Sequence, residues 1–390
     1  MIDLILSVDE LNYLGTLLPG GKSSVSPFQS ANMVSPQAVN IQRLMKLGAL
    51  NQAGQVSPTT LPAMQVLAQA RAYAGFGYVG AKTEFEAAIF FADKRAVGLV
   101  NSQAGLRIVD PAPVEAITGA LELQIGRSNL SLIDLEATLS VAEALTLASV
   151  IDIARRNKFR LFLEQDQNER VNAENLSKWI DRGKYSAQWL TGHLQMYINQ
   201  KIQFSTQDIS HALVELTKNN LVRQDGQGYA LGDELNLLIN RFLTIDHLIK
   251  IQAGRVCADQ SIISTEMEIV QGGLNNLLLW ELVENNILWK SIAASDLIGM
   301  LSGLLTQEDA LKSLEGAVSV GTGKASQDAQ AACPNCQVPM LANAKFCVSC
   351  GSKTEPLKPA ESSAGKFCIN CGKPIPMGGK FCIGCGKQLS

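Results

Sequence analysis

Eight of the nine cysteines fall in the last 58 residues of this 390-residue chain, as four C-x-x-C pairs: Cys333/Cys336, Cys347/Cys350, Cys368/Cys371 and Cys382/Cys385. The ninth, Cys257, stands alone. Ten residues separate Cys336 from Cys347, and ten separate Cys371 from Cys382, so C-x2-C-x10-C-x2-C occurs twice at an offset of 35. Two residues between cysteines let one tight turn aim both thiolates at one ion. A ten-residue excursion returns a second such turn and completes a tetrahedron at about 2.3 Å per Zn–S bond. The spacing therefore points to two Zn²⁺ ions, with iron–sulfur coordination or redox dithiols as the alternatives. Seventeen residues lie between the two units and include the loose stretch 354–365, which favours Cys333, Cys336, Cys347 and Cys350 on one ion and Cys368, Cys371, Cys382 and Cys385 on the other. All four positions of each site are protein ligands, so neither leaves a place for a reacting water.

In a secreted chain the same cysteines could form a disulfide framework. The N-terminus MIDLILSVDELNYLG has no basic leader and carries Asp3, Asp9 and Glu10, and the weakly charged stretch 137–151 is too short to span a bilayer. The expectation is a cytoplasmic protein with no membrane segment, where thiols of this spacing hold metal. The flanking residues repeat as well: Lys345-Phe346 answers Lys380-Phe381, Pro339 answers Pro374, and Gly351 answers Gly386. With its FCxxCG knuckles, the segment 333–386 resembles the double zinc ribbon family, apart from Gln337 where glycine is frequent. The resemblance implies structural zinc, one ion per ribbon, bound by the eight matched cysteines. Phe346, Phe367 and Phe381 would cover the ions in a domain too small for its own core.

Upstream, residues 316–332 (GAVSVGTGKASQDAQAA) are small, polar and aperiodic, and read as a flexible linker. The body reads as α+β and mostly helical. Helices are expected at about 4–18, 36–47, 58–71, 114–125, 131–159, 173–201, 205–218 and 295–305. Short antiparallel strands are expected within 85–109, 221–231 and 261–290. The stretch 131–159 is apolar on nearly every side, as a buried helix is. Laid over itself at an offset of 172, the chain matches Leu44/Leu216, Lys46/Lys218, Gln52/Gln224, Gly54/Gly226 and Gln55/Gln227. The expected organisation is a first α+β copy at 1–127, a buried connecting helix at 128–174, a second copy at 175–315, the linker at 316–332 and the double zinc ribbon at 333–390. In its element order the body also resembles type VII secretion chaperones, which implies a chaperone-like role as a minor alternative.

Residues 203–231 have the order of a winged helix, with Asp225-Gly226-Gln227-Gly228 at the wing tip. A DNA reader presents Arg and Lys there. This segment offers His211, Lys218 and Arg223 among Asp208, Glu215 and Asp225, and its first-copy counterpart offers Arg43 and Lys46. Charge partition points the same way. Residues 324–390 hold eight Lys, no Arg and three acids, a net of +5, so the body carries −8 of the total −3. Each Zn²⁺ with four thiolates contributes about −2, which cancels most of the tail's excess. An acidic body and a neutralised tail weigh against nucleic acid and toward protein partners, self-association among them.

Other motifs are weaker. Gly15 to Ser23 has the wrong spacing for a phosphate loop, Gly321-Thr322-Gly323-Lys324 lacks the hydroxyl, and Ile89 to Asp93 has no βαβ context. His193, His211 and His247 are in no ligand spacing, and Cys257 reads as a structural thiol. Trp179, Trp189, Trp280 and Trp289 read as core anchors. The expectation is thus a non-enzymatic zinc-binding adaptor acting through protein–protein contacts. A nucleic-acid-associated transcriptional regulator, using the winged segments and the ribbons, is the alternative.

Overall fold

The alternation of β2 (Ala72–Gly80, AYAGFGYVG) sets the architecture: Ala72, Ala74, Phe76 and Tyr78 are buried, and the residues between them are not. A computed structural model describes residues 2–28, 39–80, 84–131, 133–165, 169–183, 188–198, 204–273 and 276–307. The chain divides into two units, Met1–Thr322 and Gly323–Ser390. The second unit, with all eight paired cysteines, lies outside the described residues, as does all of the expected linker.

The first unit is built on one sheet. Its first run of elements is β1 (Ile2–Leu6), α1 (Val8–Thr16), α2 (Ile41–Lys46), α3 (Leu61–Ala68), β2, β3 (Glu84–Ala92), β4 (Arg95–Ser102), β5 (Gly105–Asp110) and α4 (Val114–Ile125). The second run is β6 (Glu136–Ser140), α5 (Val141–Phe162), α6 (Ala173–Gly183), α7 (Leu190–Ile198), α8 (Thr206–Lys218), β7 (Val222–Asp225), β8 (Gly228–Leu231) and α9 (Asp233–Ile239). It continues through β9 (His247–Val256), β10 (Ile262–Gln271), β11 (Leu277–Val283), β12 (Asn286–Ile292) and α10 (Ala294–Thr306). The ten-stranded order is β1-β5-β4-β3-β2-β9-β10-β11-β12-β6, and β7-β8 form a separate hairpin. Each run thus contributes one edge strand and a four-strand meander. The meanders meet where β2 and β9 pair antiparallel, from Ala72↔Arg255 to Gly80↔His247.

Local chemistry repeats with the topology. Leu6-Ser7-Val8-Asp9-Glu10 and Leu139-Ser140-Val141-Ala142-Glu143 each end an edge strand and start a helix through a capping box. In both, the backbone N–H of the serine donates to the glutamate Oε2 at 2.8 Å. After α2 and α8 the chain turns through left-handed residues at Gly48 and Asn220, and again at Gly54 and Gly226. The amides of Ala49 and Leu221 close the same turn onto the carbonyls of Leu44 and Leu216.

Three packed regions surround the sheet. On one face α4 and α10 cover Phe76, Ile89, Ile251, Met267 and Ile269. On the other face, α1–α3 cover the β1-β5-β4-β3 end with Leu14, Met64, Leu67 and Ile108. At the opposite end of that face, α5–α9 cover Val270, Leu278, Trp280 and Trp289.

Several expectations change. The body is not mostly helical with short strands; it is mixed helix and antiparallel sheet, and β9 and β10 run ten residues each. Ile2–Leu6 is a strand, where a helix from residue 4 was expected. Within 128–174, expected as a buried connecting helix, Glu136–Ser140 pairs with β12 as an edge strand, and the helix begins at Val141. The physical reason is the same in both places. A five-residue strand runs straight into a capped helix with no turn residues between, so the apolar positions merge into one helical-looking run. The single helix expected at 173–201 is two, α6 and α7.

Candidate functional site

Among the described residues, the helical lobes over the second face leave the middle of the sheet uncovered. There β2 presents Tyr73, Gly75, Gly77 and Val79, while β3 presents Glu84, Glu86, Ala88 and Phe90. From β9 come Leu248, Lys250 and Gln252. These residues, with Val25 and Pro27 from the loop after α1, line a groove of about 420 Å³. Its floor is low because Gly75 and Gly77 carry no side chain. A Cβ added at Gly75 would come no closer than 3.7 Å to any neighbour, so the space is real room rather than tight packing. Glycine inside a strand commonly marks a place where another chain or ligand approaches closely.

One wall of this open strip is charged. Lys250 Nζ lies 3.5 Å from Glu268 Oε2 and 3.8 Å from Glu266 Oε1. Gln252 Nε2 donates to Glu266 Oε2 at 3.0 Å. Glu268 is buried beside Trp280, and burial pushes its carboxyl up to about 7 against the opposing pull of Lys250. Its Oε1 has no hydrogen-bond partner among the described residues. Burial likewise raises Glu281, which accepts from Thr265 Oγ1 at 2.9 Å. Tyr197 O–H donates to the Glu266 carbonyl at 2.6 Å and accepts from the Leu282 amide at 3.0 Å. This ties α7 to the sheet beside the groove. Among the described residues, the strip presents a small-residue floor with Glu84 and Glu86 on one side and Lys250, flanked by Glu266, on the other.

The structure distributes the other singled-out residues without bringing them together. Gly15 is inside α1 against Phe28, and Lys22 Nζ donates to the Leu18 carbonyl, so the glycine–lysine stretch forms no phosphate loop. Asp93 sits in the β3–β4 turn, 3.6 Å from Arg71. Cys257 is a half-buried free thiol in the β9–β10 turn. His193 is buried in α7, His211 is exposed on α8, and His247 packs edge-on to Tyr78. Trp280 and Trp289 are fully buried neighbours, and Trp179 meets Trp189 edge to face. Among the described residues no group of three or more His, Cys, Asp or Glu could hold a metal.

The winged segment exists as α8 and the β7–β8 hairpin, and its outer face is poor in free cations. Thr206, Gln207, Asp208, Ser210, His211 and Val214 are exposed. Lys218 is paired with Glu215 at 2.7 Å, and Arg223 lies 4.0 Å from Asp233. The first-run cation Arg43 is taken up by Glu10 and by the Ile5 carbonyl.

The metal-ligand cysteines, Cys333, Cys336, Cys347, Cys350, Cys368, Cys371, Cys382 and Cys385, lie outside the described residues, so their fit to zinc rests on the donor set: eight soft thiolates in two closed sets of four. The groove was not foreseen in the sequence. The signal that could have found it is Gly75-x-Gly77 within an otherwise alternating aromatic run.

Comparison with known proteins bears on both regions. Residues 333–386 match the model of the double zinc ribbon family, and the match spans all eight paired cysteines. No helix among the described residues is long and apolar enough to cross a membrane. No curated protein matches the chain. Among solved structures, a chain from the Mycobacterium tuberculosis type VII secretion system chaperone EspG5 in complex with a PE25-PPE41 dimer is similar at 12% identity and a TM-score of 0.42, over 79% of this chain and 96% of that one. The tail is thus matched by a zinc-binding family, and the body is a weak structural neighbour of a secretion chaperone.

Proposed function

We propose that this chain is a cytoplasmic, non-enzymatic adaptor that captures a protein segment in the groove across β2 and β9 and carries a zinc-folded tail for a second partner. The groove carries the reading. It is open among the described residues, floored by Gly75 and Gly77, and lined by Glu84, Glu86 and Lys250, with Glu266 bonded to Gln252 beside it, which suits an apolar segment bearing basic residues. No cluster of nucleophile, base and oxyanion donors accompanies it among the described residues. The eight cysteines would hold two Zn²⁺, and the ions would fold the ribbons rather than react. A linker at 316–332 would raise the local concentration of the tail near whatever the body binds.

The body also reads as a duplicated unit. The mirrored strand order, the paired capping boxes at Ser7 and Ser140, and the matched left-handed turns at Gly48 and Asn220 support this.

The test is affinity purification of the full chain from its host, run in parallel with Gly75→Leu. A partner retained by the parent and lost by the variant supports the groove, and equal recovery on both removes it. Metal analysis is expected to find two zinc ions per chain, and well under two would end the zinc reading. The nucleic-acid alternative requires steep salt dependence of DNA or RNA binding, with an affinity loss of about 10³-fold or more across a fourfold salt increase. The sparse cations on α8 favour no such binding.

A further inference from the structure

Strand register gives the groove its shape. β2 lies between β3 and β9, and the pairing sets two rows across the open face: Glu86–Gly77–Lys250 and Ala88–Gly75–Gln252. Neighbouring strands are about 4.8 Å apart, so the β3 wall and the β9 wall stand roughly 10 Å from each other with only glycine between them. Along β2 the next side chains on this face are Tyr73 and Val79, and they close the two ends. Tyr73 lies over Gly254, where an added Cβ would come within 2.5 Å of its ring, and its ring centroid is 6.2 Å from that of Phe90. The groove is therefore a pit, and its volume of about 420 Å³ suits one long side chain with the backbone that carries it.

The two walls differ in how their charges are met. On β9, Lys250 stands between Glu268 at 3.5 Å and Glu266 at 3.8 Å, and Gln252 donates to Glu266. On β3, Glu86 accepts from the Asn101 side-chain amide at 3.3 Å, and neither Glu84 nor Glu86 meets a cation among the described residues. Both are exposed. As alternate residues on one face of a strand they lie about 7 Å apart, close enough to repel each other. The described residues hold no group of three or more His, Cys, Asp or Glu for a metal ion, so the matching charge must arrive on a ligand. That ligand also crosses an apolar floor bordered by Ala88, Tyr73 and Val79, which calls for an apolar stem with a cationic head. Arginine fits better than lysine. Its planar guanidinium bonds one carboxylate through two donors and keeps others for a second, whereas an ammonium is a strongly hydrated point charge.

We propose that the segment captured by the groove is anchored by an arginine, with its aliphatic stem over Gly75 and Gly77 and its guanidinium on Glu86 and Glu84. The proposal rests on the groove reading above and names the partner chemistry which that reading leaves open. Lys250 does not supply the missing charge, because Glu266 and Glu268 already hold it.

Titration of the full chain with N-acetyl-L-arginine amide, read from the backbone amide resonances of Gly75 and Gly77, tests this, with the corresponding lysine and leucine amides as comparisons. The expected result is saturable binding in the range of about 1 mM, with the lysine amide at least about threefold weaker. Glu86→Gln is expected to weaken the arginine amide at least about fivefold and to leave the leucine amide unchanged, and Glu84→Gln to act in the same direction with a smaller effect. Both positions are exposed, so circular dichroism should show the parent fold. An arginine amide that binds no tighter than the lysine or leucine amide overturns the anchor. So do glycine resonances that no amide moves, and arginine binding indifferent to Glu86→Gln. The groove itself fails by a different result, equal partner recovery on the parent and Gly75→Leu. A partner lost by Gly75→Leu yet fully retained by the double exchange Glu84→Gln with Glu86→Gln therefore removes the arginine and keeps the groove.

Discussion

Two buried carboxylates face a cation on the same side of this sheet, and they differ in how completely they are bonded. Asp152 on α5 accepts from Arg155 Nη1 and the Leu190 amide on one oxygen, and from the Thr191 amide and hydroxyl on the other, all between 2.8 and 3.0 Å. Arg155 spends its other donors on the carbonyls of Gln188 and Leu243 and lies over the rings of Trp189 and Phe242. Burial opposes the charged form of both partners, and their mutual attraction opposes that shift. Glu268 on β10 is equally buried, yet its lysine stands 3.5 Å away, is 46% exposed, and is shared with Glu266. One Glu268 oxygen makes no hydrogen bond of full geometry among the described residues, with the Trp280 indole as its neighbour. The first pair closes the joint between α5, α7 and the α9–β9 connection. The second borders a groove and keeps bonding capacity unused. Completeness of hydrogen bonding, rather than burial, separates a structural ion pair from one beside a binding surface.

The largest effect should come from breaking the closed pair. Arg155→Ala leaves Asp152 buried without its cation, and urea unfolding should show a loss of about 3–5 kcal/mol. A loss below about 1 kcal/mol would put the two pairs in one class.

The open pair should show itself in pH dependence. Glu268 titrates near 7 in the fold and near 4.5 when unfolded, so the native state holds the extra proton between those values. Stability is then highest below about pH 4.5 from this group and falls as pH rises to about 7, by roughly 3 kcal/mol. Glu268→Gln should flatten that decline and leave the parent and variant alike at the acid end. An unchanged slope would place Glu268 among ordinary exposed carboxylates.

A third substitution separates groove from core. Gly75→Leu fills open space and is expected to change stability by under about 1 kcal/mol, while partner affinity drops at least about tenfold. Phe76→Ala, one residue along on the other face, should do the reverse and cost about 3–5 kcal/mol by urea unfolding. The smallest effect belongs to Lys250→Met, expected within about 1 kcal/mol because the lysine is half in water.

Much of the fold was legible where a local rule acts alone. Val114–Ile125 is helical as its periodicity indicates, and α8 starts from Ser205, at the head of the helix expected at 205–218. The strands within 85–109 and 261–290 follow from their alternation. Other features were hidden for identifiable reasons. Glycines at 75, 77 and 80 disguised β2, since glycine lowers strand propensity. The 172-residue offset fits α2 through α3, but the segment L-S-V-x-E repeats at 133, because α5 to α7 lengthen the second run. No single offset could show both.

By itself the sequence pointed to zinc in the tail. Cysteine spacing of two and ten residues is a local constraint, and the match of residues 333–386 to the double zinc ribbon family agrees with it. It also pointed to the helix that starts from Ser205. Only the tertiary structure decided that β2 and β9 pair at the centre of one sheet, that Phe76 lies under α4 and α10 while Gly75 floors a groove, and that Lys250 meets Glu266 and Glu268. Those relations join residues about 175 positions apart, and no local pattern records which strands become neighbours. Strand pairing fixes which face each side chain takes, and the face decides whether a residue builds the core or the site.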